Sequence, residues 1–390
     1  EYGFTSAHLA PAEGIFRGTG PFVLLSEQEP NELILKNEVA QVIAFDPVGK
    51  NSSPSVYPAS LMGVLSVIRQ SILETNYANK RVQFEIKNQI RDGFTPHIGA
   101  QALTRSLGEN KSIPIWIEPG SCLMNAQAIN IAKEFNLGDP VLIATGEEWR
   151  NPNLSLSPKN DYILPLLFPA IPKLPNLEDW EQISLEQLRA WDHAPSMARL
   201  LKVRTRSLSL TTSGSEIGEF HRNLLKSIER GITESEVLAS LTTNPAKICR
   251  VNQFCGTLEK GKLANFFMIN GDTYFTKDPV IHSTWIQGRP FLHYPQEKTR
   301  DSNSSNDQRM DIKIAAKFPT QFKKAIQRPS SVLFSGFKLW TCEEKRVLSN
   351  QDLLIENGKI SKIGPNLKAK LPDGCKIIEG KGRHLTPGII

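Results

Sequence analysis

Cysteine is scarce in this sequence of 390 residues, and no long apolar segment occurs in it. The five cysteines form no C-x-x-C pair and are odd in number, which argues against a zinc ribbon and a closed disulfide framework. We expect buried free thiols, although Cys249 and Cys255 are close enough in sequence to cross-link in an oxidising compartment. No apolar run approaches the roughly 18 residues of a membrane span, so we expect a soluble protein without one.

Neither sign of charge dominates the chain. Its 46 basic and 40 acidic residues give a net charge of +6 and are spread along the sequence. Nucleic-acid-binding proteins concentrate basic residues on one face or in arms, so we expect no nucleic-acid partner. A hydrophobic content of 39% with 22% charged residues is typical of a globular protein, and the length predicts two or more cores.

Both ends of the sequence look like cuts. The chain starts at Glu1 without an initiator methionine, and "LTPGII", Leu385 to Ile390, is typical of a strand entering a core. We therefore expect a fragment. A signal peptide, and with it the choice between a cytoplasmic and an exported protein, stays open.

Apolar runs alternate with amphipathic segments over the first two thirds of the chain. Pro58 to Glu74 has helical spacing, "SIPIWIEPG" and "DPVLIATGEEW" are typical of buried strands, and "SLEQLRAW" predicts a helix opened by Ser184. This alternation predicts an α/β fold with a parallel sheet, closed as a (β/α)8 TIM-like barrel. The alternative, an open doubly wound sheet, lacks a G-x-G-x-x-G fingerprint after its first strand.

The character of the sequence then changes to short β runs. We predict a partial barrel over 1–254, β-sandwich strands of the same unit over 255–294, a polar linker over 295–330 and further β-sandwich strands over 331–390. Asn357-Gly358 lies between two β runs and predicts a hairpin, because a type I′ turn needs two residues that tolerate positive φ.

Two phrases resemble a known family. "ASLTTNPAKICRVNQFCGTLEKGKLANFFMINGD", continuing to "HSTWIQGRP", resembles the C-terminal end of amidohydrolase-superfamily enzymes, where a last barrel helix leads into G-x-L-x-x-G-x-x-A-[DN] and a β-sandwich. "DLLIENGKISKIG", continuing to "KGRHLTPGII", looks like the beginning of such a unit. Since an end precedes a beginning, the resemblance implies a tandem protein whose truncated second unit starts at 331. "YPASLMGVLSVIRQ" is similar to a helix of tandem bacterial amidohydrolase-like proteins.

The resemblance also implies a chemistry. Family members hydrolyse non-peptide carbon–nitrogen bonds of small-molecule amides, cyclic amides among them. A divalent metal, most often zinc, lowers the pKa of bound water and polarises the carbonyl, while an Asp on the last strand moves the proton. In the family an acidic residue and His-x-His follow "LTPGII". We therefore expect the metal in a complete family unit and none in this fragment.

The first unit departs from the family pattern at three aligned positions. Glu118 and Thr145 stand where the family has histidines at the ends of successive strands, and Ser213 stands where it has the last-strand Asp. The unit is therefore predicted to be degenerate, a pseudoenzyme. His8, at a strand end, is a weak candidate metal ligand, and Arg17 is a candidate holder of an anionic substrate group at the mouth.

Two other chemistries fit less well. Ser213, Ser215 and His221 superficially resemble a hydrolase triad, but "TTSGSE" lacks the G-x-S-x-G elbow. Glu118, Glu147 and Glu148 would make an acid/base set at the strand ends. We expect solvated loop carboxylates instead, because glutamates are mostly exposed.

Two function classes follow. The first is part of a metal-dependent amidohydrolase-like hydrolase whose first unit is degenerate. The alternative is a non-catalytic binding or scaffolding barrel that docks, within the same protein, an active second unit. Metal analysis of the 390-residue chain would show whether it contains an intact metal site.

Overall fold

The computed structural model describes residues 2–46, 57–90, 93–107, 112–170, 181–271, 273–293, 328–343 and 347–390. Its β strands are β1 (Ser6–His8), β2 (Phe16–Gly18), β3 (Phe22–Leu24), β4 (Ile34–Lys36), β5 (Gln41–Ala44), β6 (Ile115–Glu118), β7 (Val141–Ile143), β8 (Asp161–Pro165), β9 (Ser207–Thr211), β10 (Phe266–Asn270), β11 (Val280–Ile286), β12 (Arg289–Leu292), β13 (Ser331–Trp340), β14 (Val347–Glu356), β15 (Lys359–Gly364), β16 (Lys376–Glu379) and β17 (His384–Pro387).

Helices occur mainly in the first two thirds of the chain. They are α1 (Pro30–Leu33), α2 (Leu61–Asn88), α3 (Ile98–Thr104), α4 (Met124–Glu134), α5 (Pro152–Ser155), α6 (Leu185–His193), α7 (Met197–Arg204), α8 (Ile217–Glu229), α9 (Glu234–Leu241) and α10 (Thr243–Ile248), with short 3-10 segments at Glu148–Arg150, Ala194–Ser196 and Leu367–Lys370.

The chain divides into two compact units. We call Ser6–Leu24, Glu29–Thr257 and Ile389–Ile390 the α/β unit, and Glu1–Thr5, Leu25–Gln28 and Leu258–Gly388 the β unit. The predicted strand from Leu385 to Ile390 is therefore divided: β17 lies in the β unit, and the last two residues lie in the α/β unit.

The α/β unit is built on a six-stranded sheet of order β2-β5-β6-β7-β8-β9. Strands β5 to β9 are parallel, as predicted, and β2 pairs antiparallel with β5. A separate small sheet has the order β1-β3-β4. Closure into an eight-stranded barrel is not confirmed, because within the described ranges β2 and β9 stand at opposite ends of this strand order.

One face of this sheet packs into an apolar core. The buried cluster contains Phe22, Val39, Ala40, Val42, Trp116, Val141, Ile163, Ala246, Ile248, Cys249, Val251 and Cys255. Strand residues of β5 to β8 thus contact α10 and the segment that follows it. The described cysteines are free thiols. Burial is confirmed for Cys122, Cys249 and Cys255, whereas Cys342 and Cys375 are only partly buried.

Helix α2 begins where the sequence predicts but extends beyond Glu74 to Asn88. The Ser60 side chain caps it by accepting from the Gly63 N–H at 3.3 Å. Its buried residues recur every three or four positions, which gives one core-facing stripe: Val64, Ile68, Ile72, Thr75 and Ala78. Among the described residues, no helix combines the length and apolar composition needed to cross a bilayer.

The β unit is a single eight-stranded sheet of order β12-β11-β10-β17-β13-β14-β15, with β16 also paired to β13. Strand β17 lies antiparallel to β10 and parallel to β13, so it joins the strands on either side of the predicted linker. The segment before β10 pairs with β15: the Ala264 N–H donates to the Gly358 carbonyl, and the Ile360 N–H donates to the Lys262 carbonyl, both at 2.9 Å. Most of the linker, residues 295–327, lies outside the described residues.

The hairpin predicted at Asn357-Gly358 is confirmed. Both turn residues have positive φ, 51° and 80°, and Glu356 of β14 pairs with Lys359 of β15. A Cβ on Gly358 would lie 2.6 Å from the Gln287 carbonyl oxygen, so steric contact adds to the conformational requirement for glycine.

We predict that Gly358→Ala lowers the free energy of unfolding by about 1–3 kcal/mol, because the new Cβ meets both a strained φ and the Gln287 carbonyl. Gly364→Ala, at the far end of β15 in the same hairpin, is the matched control, since nothing lies within 4 Å of its Cβ position. It should cost less than about 0.5 kcal/mol. Urea unfolding measures both, and equal losses would contradict the role of the turn.

Candidate functional site

The carboxyl ends of the parallel strands bring polar residues to one edge of the sheet in the α/β unit. Glu118 is the last residue of β6, while Thr145 and Ser213 follow closely after β7 and β9. Asp46 follows β5 in the same way. Since parallel strands end at a common edge, the positions aligned with the family from sequence do lie along the edge where α/β proteins place their chemistry.

An arginine connects three strands at this edge. Arg17 Nη1 lies 2.5 Å from Glu118 Oε2, and Nη2 lies 2.6 Å from Asp46 Oδ2. Its Nε donates to the Gly14 carbonyl at 3.3 Å. Arg17 lies where the register between β2 and β5 shifts, and such irregularities redirect a side chain. We call Arg17, Asp46 and Glu118 the arginine clamp.

The arginine clamp carries two negative charges around one positive charge. The Arg17 side chain is only 8% exposed, whereas those of Glu118 and Asp46 are 32% and 42% exposed. Burial raises the pKa of Glu118; the Arg17 guanidinium opposes this rise and Asp46 adds to it. Because both Nη groups already bind carboxylates, an anionic substrate group would have to compete with two fixed anions. The anion-holding role of Arg17 stays a prediction.

Thr145 hydrogen-bonds to Glu148 in the loop that follows β7. The buried carboxylate of Glu148 accepts from the Thr145 N–H at 2.7 Å, the Thr145 hydroxyl at 3.2 Å and the Gly146 N–H at 3.0 Å. The expectation of a solvated carboxylate is therefore wrong for Glu148, which is 0% exposed. Its neighbour Glu147 is only partly buried and lies 3.5 Å from Arg150.

The serine-rich turn after β9 makes local contacts. The Ser213 side chain is exposed, and its N–H donates to Thr211 Oγ1 at 3.2 Å. The Ser215 hydroxyl donates to the Thr212 carbonyl at 3.1 Å. His221 is buried on α8 at 3% exposure. These contacts explain the serines as turn-forming residues.

His8 ends β1 with its imidazole edge against the Trp116 ring, at a centroid distance of 4.8 Å. Burial lowers the pKa of His8 to about 4, so the ring is neutral at neutral pH. Gly20 lies directly beside it, since a Cβ there would approach His8 Nε2 to 2.7 Å. A neutral imidazole suits metal binding, but the glycine backbone and the indole cover this one.

The residues at this edge do not fit the metal that the family implies. A hydrolytic zinc centre needs about three protein ligands and an open position for water. Across the described ranges, no three His, Cys, Asp or Glu side chains converge as a metal-binding group. The two nearest carboxylates bind Arg17, and Thr145 binds Glu148.

Asp46 is the site residue that sequence reasoning missed. It closes the apolar run "QVIAFD", and a carboxylate directly after a buried strand is the signal that would have found it. Its partner Arg17 is distant in sequence, so the contact itself needed the fold.

Comparison with known proteins identifies the family of one segment. Residues 190–291 match the amidohydrolase family. This segment includes the first of the two phrases that carry the resemblance, and the superfamily read from the sequence is thereby confirmed. No curated protein sequence matches the chain.

Two solved structures are similar to the chain. An amidohydrolase from Thermotoga maritima MSB8 superposes with a TM-score of 0.60 and 20% identity, covering 75% of this chain and 73% of that chain. At this identity the likeness shows the fold alone. A Xaa-Pro dipeptidase with bound methionine in its active site has a TM-score of 0.30 and 12% identity, over 47% of this chain and 55% of that chain, and carries no argument.

We predict that Glu148→Gln destabilises the protein by about 1–3 kcal/mol, because an amide can replace only part of a carboxylate that accepts three hydrogen bonds in a buried site. Glu147→Gln is the adjacent control and should change the free energy of unfolding by less than about 0.5 kcal/mol. Chemical denaturation compares the two. A loss for Glu147→Gln as large as that for Glu148→Gln would refute the buried role.

A pH dependence follows from His8. Its pKa is about 4 in the folded protein, against 6.5 for an unperturbed histidine, so between these values the unfolded chain binds the extra proton. The contribution of His8 is complete above about pH 6.5 and is lost as the pH falls towards 4.

The expected loss is on the order of 2 kcal/mol between pH 7 and pH 4. His8→Phe removes this titration, so its unfolding free energy should fall less over the same range than that of the wild type. Denaturation at several pH values measures the difference. Parallel curves for the two proteins would show that His8 does not titrate in this way.

Proposed function

We propose that the chain is part of a hydrolase of the amidohydrolase superfamily that acts on non-peptide carbon–nitrogen bonds, and that its α/β unit is catalytically degenerate. The observation that carries the proposal is the family match over residues 190–291. The likeness in fold to an amidohydrolase is consistent with it.

The contacts of the edge residues support the degeneracy. Glu118 neutralises Arg17, Thr145 binds Glu148, and Ser213 stands exposed in a turn. Glu118 and Thr145 thus have structural roles, whereas no role is assigned to the exposed Ser213 side chain. None supplies a third ligand for a metal within the described residues. Zinc would be held by a complete second unit, with a small-molecule amide as substrate.

The segment 331–390 is proposed as the beginning of that second unit. The family match ends before it, and its resemblance to the start of a family unit rests on "DLLIENGKISKIG" and "KGRHLTPGII". In the β unit its strands share a sheet with β10. In a longer tandem protein, two strands could therefore compete for the edge of β17 that does not pair with β13. One is β10, and the other is the corresponding strand of the second unit.

The second candidate function is a non-catalytic scaffold. Three strand ends held by buried or partly buried hydrogen bonds favour a rigid edge, which is what a docking module needs. The two candidates agree on an inactive first unit. They differ in whether the complete protein hydrolyses anything by its own second unit.

We predict that the 390-residue chain, dialysed against zinc, retains no more metal than a denatured control and hydrolyses neither cyclic amides nor dipeptides, because its described edge lacks three free ligands. Elemental analysis and product detection by mass spectrometry are the measurements. A longer tandem protein should gain both properties together.

Three outcomes separate the candidates. Metal and hydrolysis in the longer protein, with ligands in the second unit, support the hydrolase. A longer protein with neither property supports the scaffold. Stoichiometric zinc in the 390-residue chain, bound through His8 or Glu118, would reject the degenerate first unit.

A further inference from the structure

We propose that Arg17 is a built-in cation, whose guanidinium holds the position between Asp46 and Glu118 that a divalent metal ion would need. The two carboxylates at this strand edge are then clamped by the protein itself and take up no metal. This proposal rests on the proposed function in one respect only, namely that this strand edge is where the family would bind its metal.

The geometry favours a permanent clamp. Two different guanidinium nitrogens lie 2.5 and 2.6 Å from two different carboxylates, and the third is tethered to the Gly14 carbonyl. The donors are spread around the planar fork, so one side chain joins the ends of β5 and β6 to β2. A metal ion entering here would need the oxygen atoms that these N–H groups already bind.

The chemistry of arginine makes the clamp independent of pH. A guanidinium stays protonated throughout the range in which proteins remain folded, unlike a lysine or a histidine. A change of pH in this range therefore cannot open the position to a metal ion by deprotonating Arg17. It must displace a side chain that is 8% exposed, and this would leave a buried charge without partners.

The charges explain why a cation is required there. Asp46 and Glu118 carry like charges on either side of Arg17. Burial raises the pKa of Glu118, Arg17 opposes this rise and Asp46 adds to it, as expected for neighbouring carboxylates. One guanidinium reduces their combined charge from −2 to −1. The same two oxygen donors would suit a hard divalent ion such as Mn²⁺ once the guanidinium is removed.

The test exchanges the built-in cation for a free one. Arg17→Met keeps the apolar length of the side chain and leaves Asp46 and Glu118 facing each other. Mn²⁺ alone is the probe, followed by the electron paramagnetic resonance signal of the free ion and by the melting temperature. We expect Arg17→Met to bind Mn²⁺ roughly tenfold more tightly than the wild type and to gain melting temperature on adding the ion.

Two variants serve as controls. Arg69→Met removes an arginine that pairs with Glu134 at 3.0 Å on the same unit, and it should behave as the wild type towards Mn²⁺. Arg17→Met combined with Glu118→Gln removes one of the two oxygen ligands and should lose the gained affinity. Circular dichroism establishes which variants are folded.

Two results would overturn the proposal. The first is a folded Arg17→Met protein that binds Mn²⁺ no better than the wild type. The second can be obtained without a folded Arg17 variant. It is that the wild-type protein binds one Mn²⁺ per chain and the Glu118→Gln variant does not. Wild type and Glu118→Gln that are equally weak binders support the clamp. Neither result depends on hydrolysis, so failure of the clamp and failure of the proposed function are distinguishable.

Discussion

The ion pairs of Arg17 with Asp46 and Glu118 set the character of the strand edge in the α/β unit. They place a fixed positive charge at the carboxyl ends of β5 and β6, and they connect β2 to those strand ends. Removing both carboxylates would leave the buried Arg17 guanidinium without a charged partner, which is unfavourable. The edge is therefore held by electrostatics that also decide what else can bind there.

The loop after β7 is likewise held by a charged side chain. Glu148 is fully buried and gathers the N–H groups of Thr145 and Gly146 around its carboxylate. A buried carboxylate is tolerated only when hydrogen bonds satisfy it. Thr145 thus contributes to the conformation of this loop through its hydrogen bonds with Glu148.

In the β unit, the central constraint is the pairing of β17 with β10 and β13. These contacts place Phe266, Phe334 and Leu385 in one buried cluster, although long stretches of chain separate them. The sheet thus combines β10, which lies in the first of the two family-like phrases, with β14, β15 and β17, which lie in the second.

Local features were predictable from the sequence because their causes lie within a few residues. Asn357-Gly358 gave the hairpin, and Ser184 caps α6 through a reciprocal contact with Gln187, as the serine before an amphipathic run indicates. The parallel strands β6 and β7 were predicted from their apolar composition. The superfamily followed from spaced glycines and apolar residues around β10, a pattern that is itself local.

The sequence by itself therefore determined several of the helices and strands, the hairpin, the parallel class of the main sheet and the superfamily. Only the tertiary structure decided that Arg17 meets Asp46 and Glu118, that Glu148 is buried and that β17 pairs with β10. The physical reason is that backbone propensities and turn chemistry act between neighbours in sequence. Ion pairing, burial and strand pairing depend instead on which distant segments share a core, and no short pattern encodes that choice.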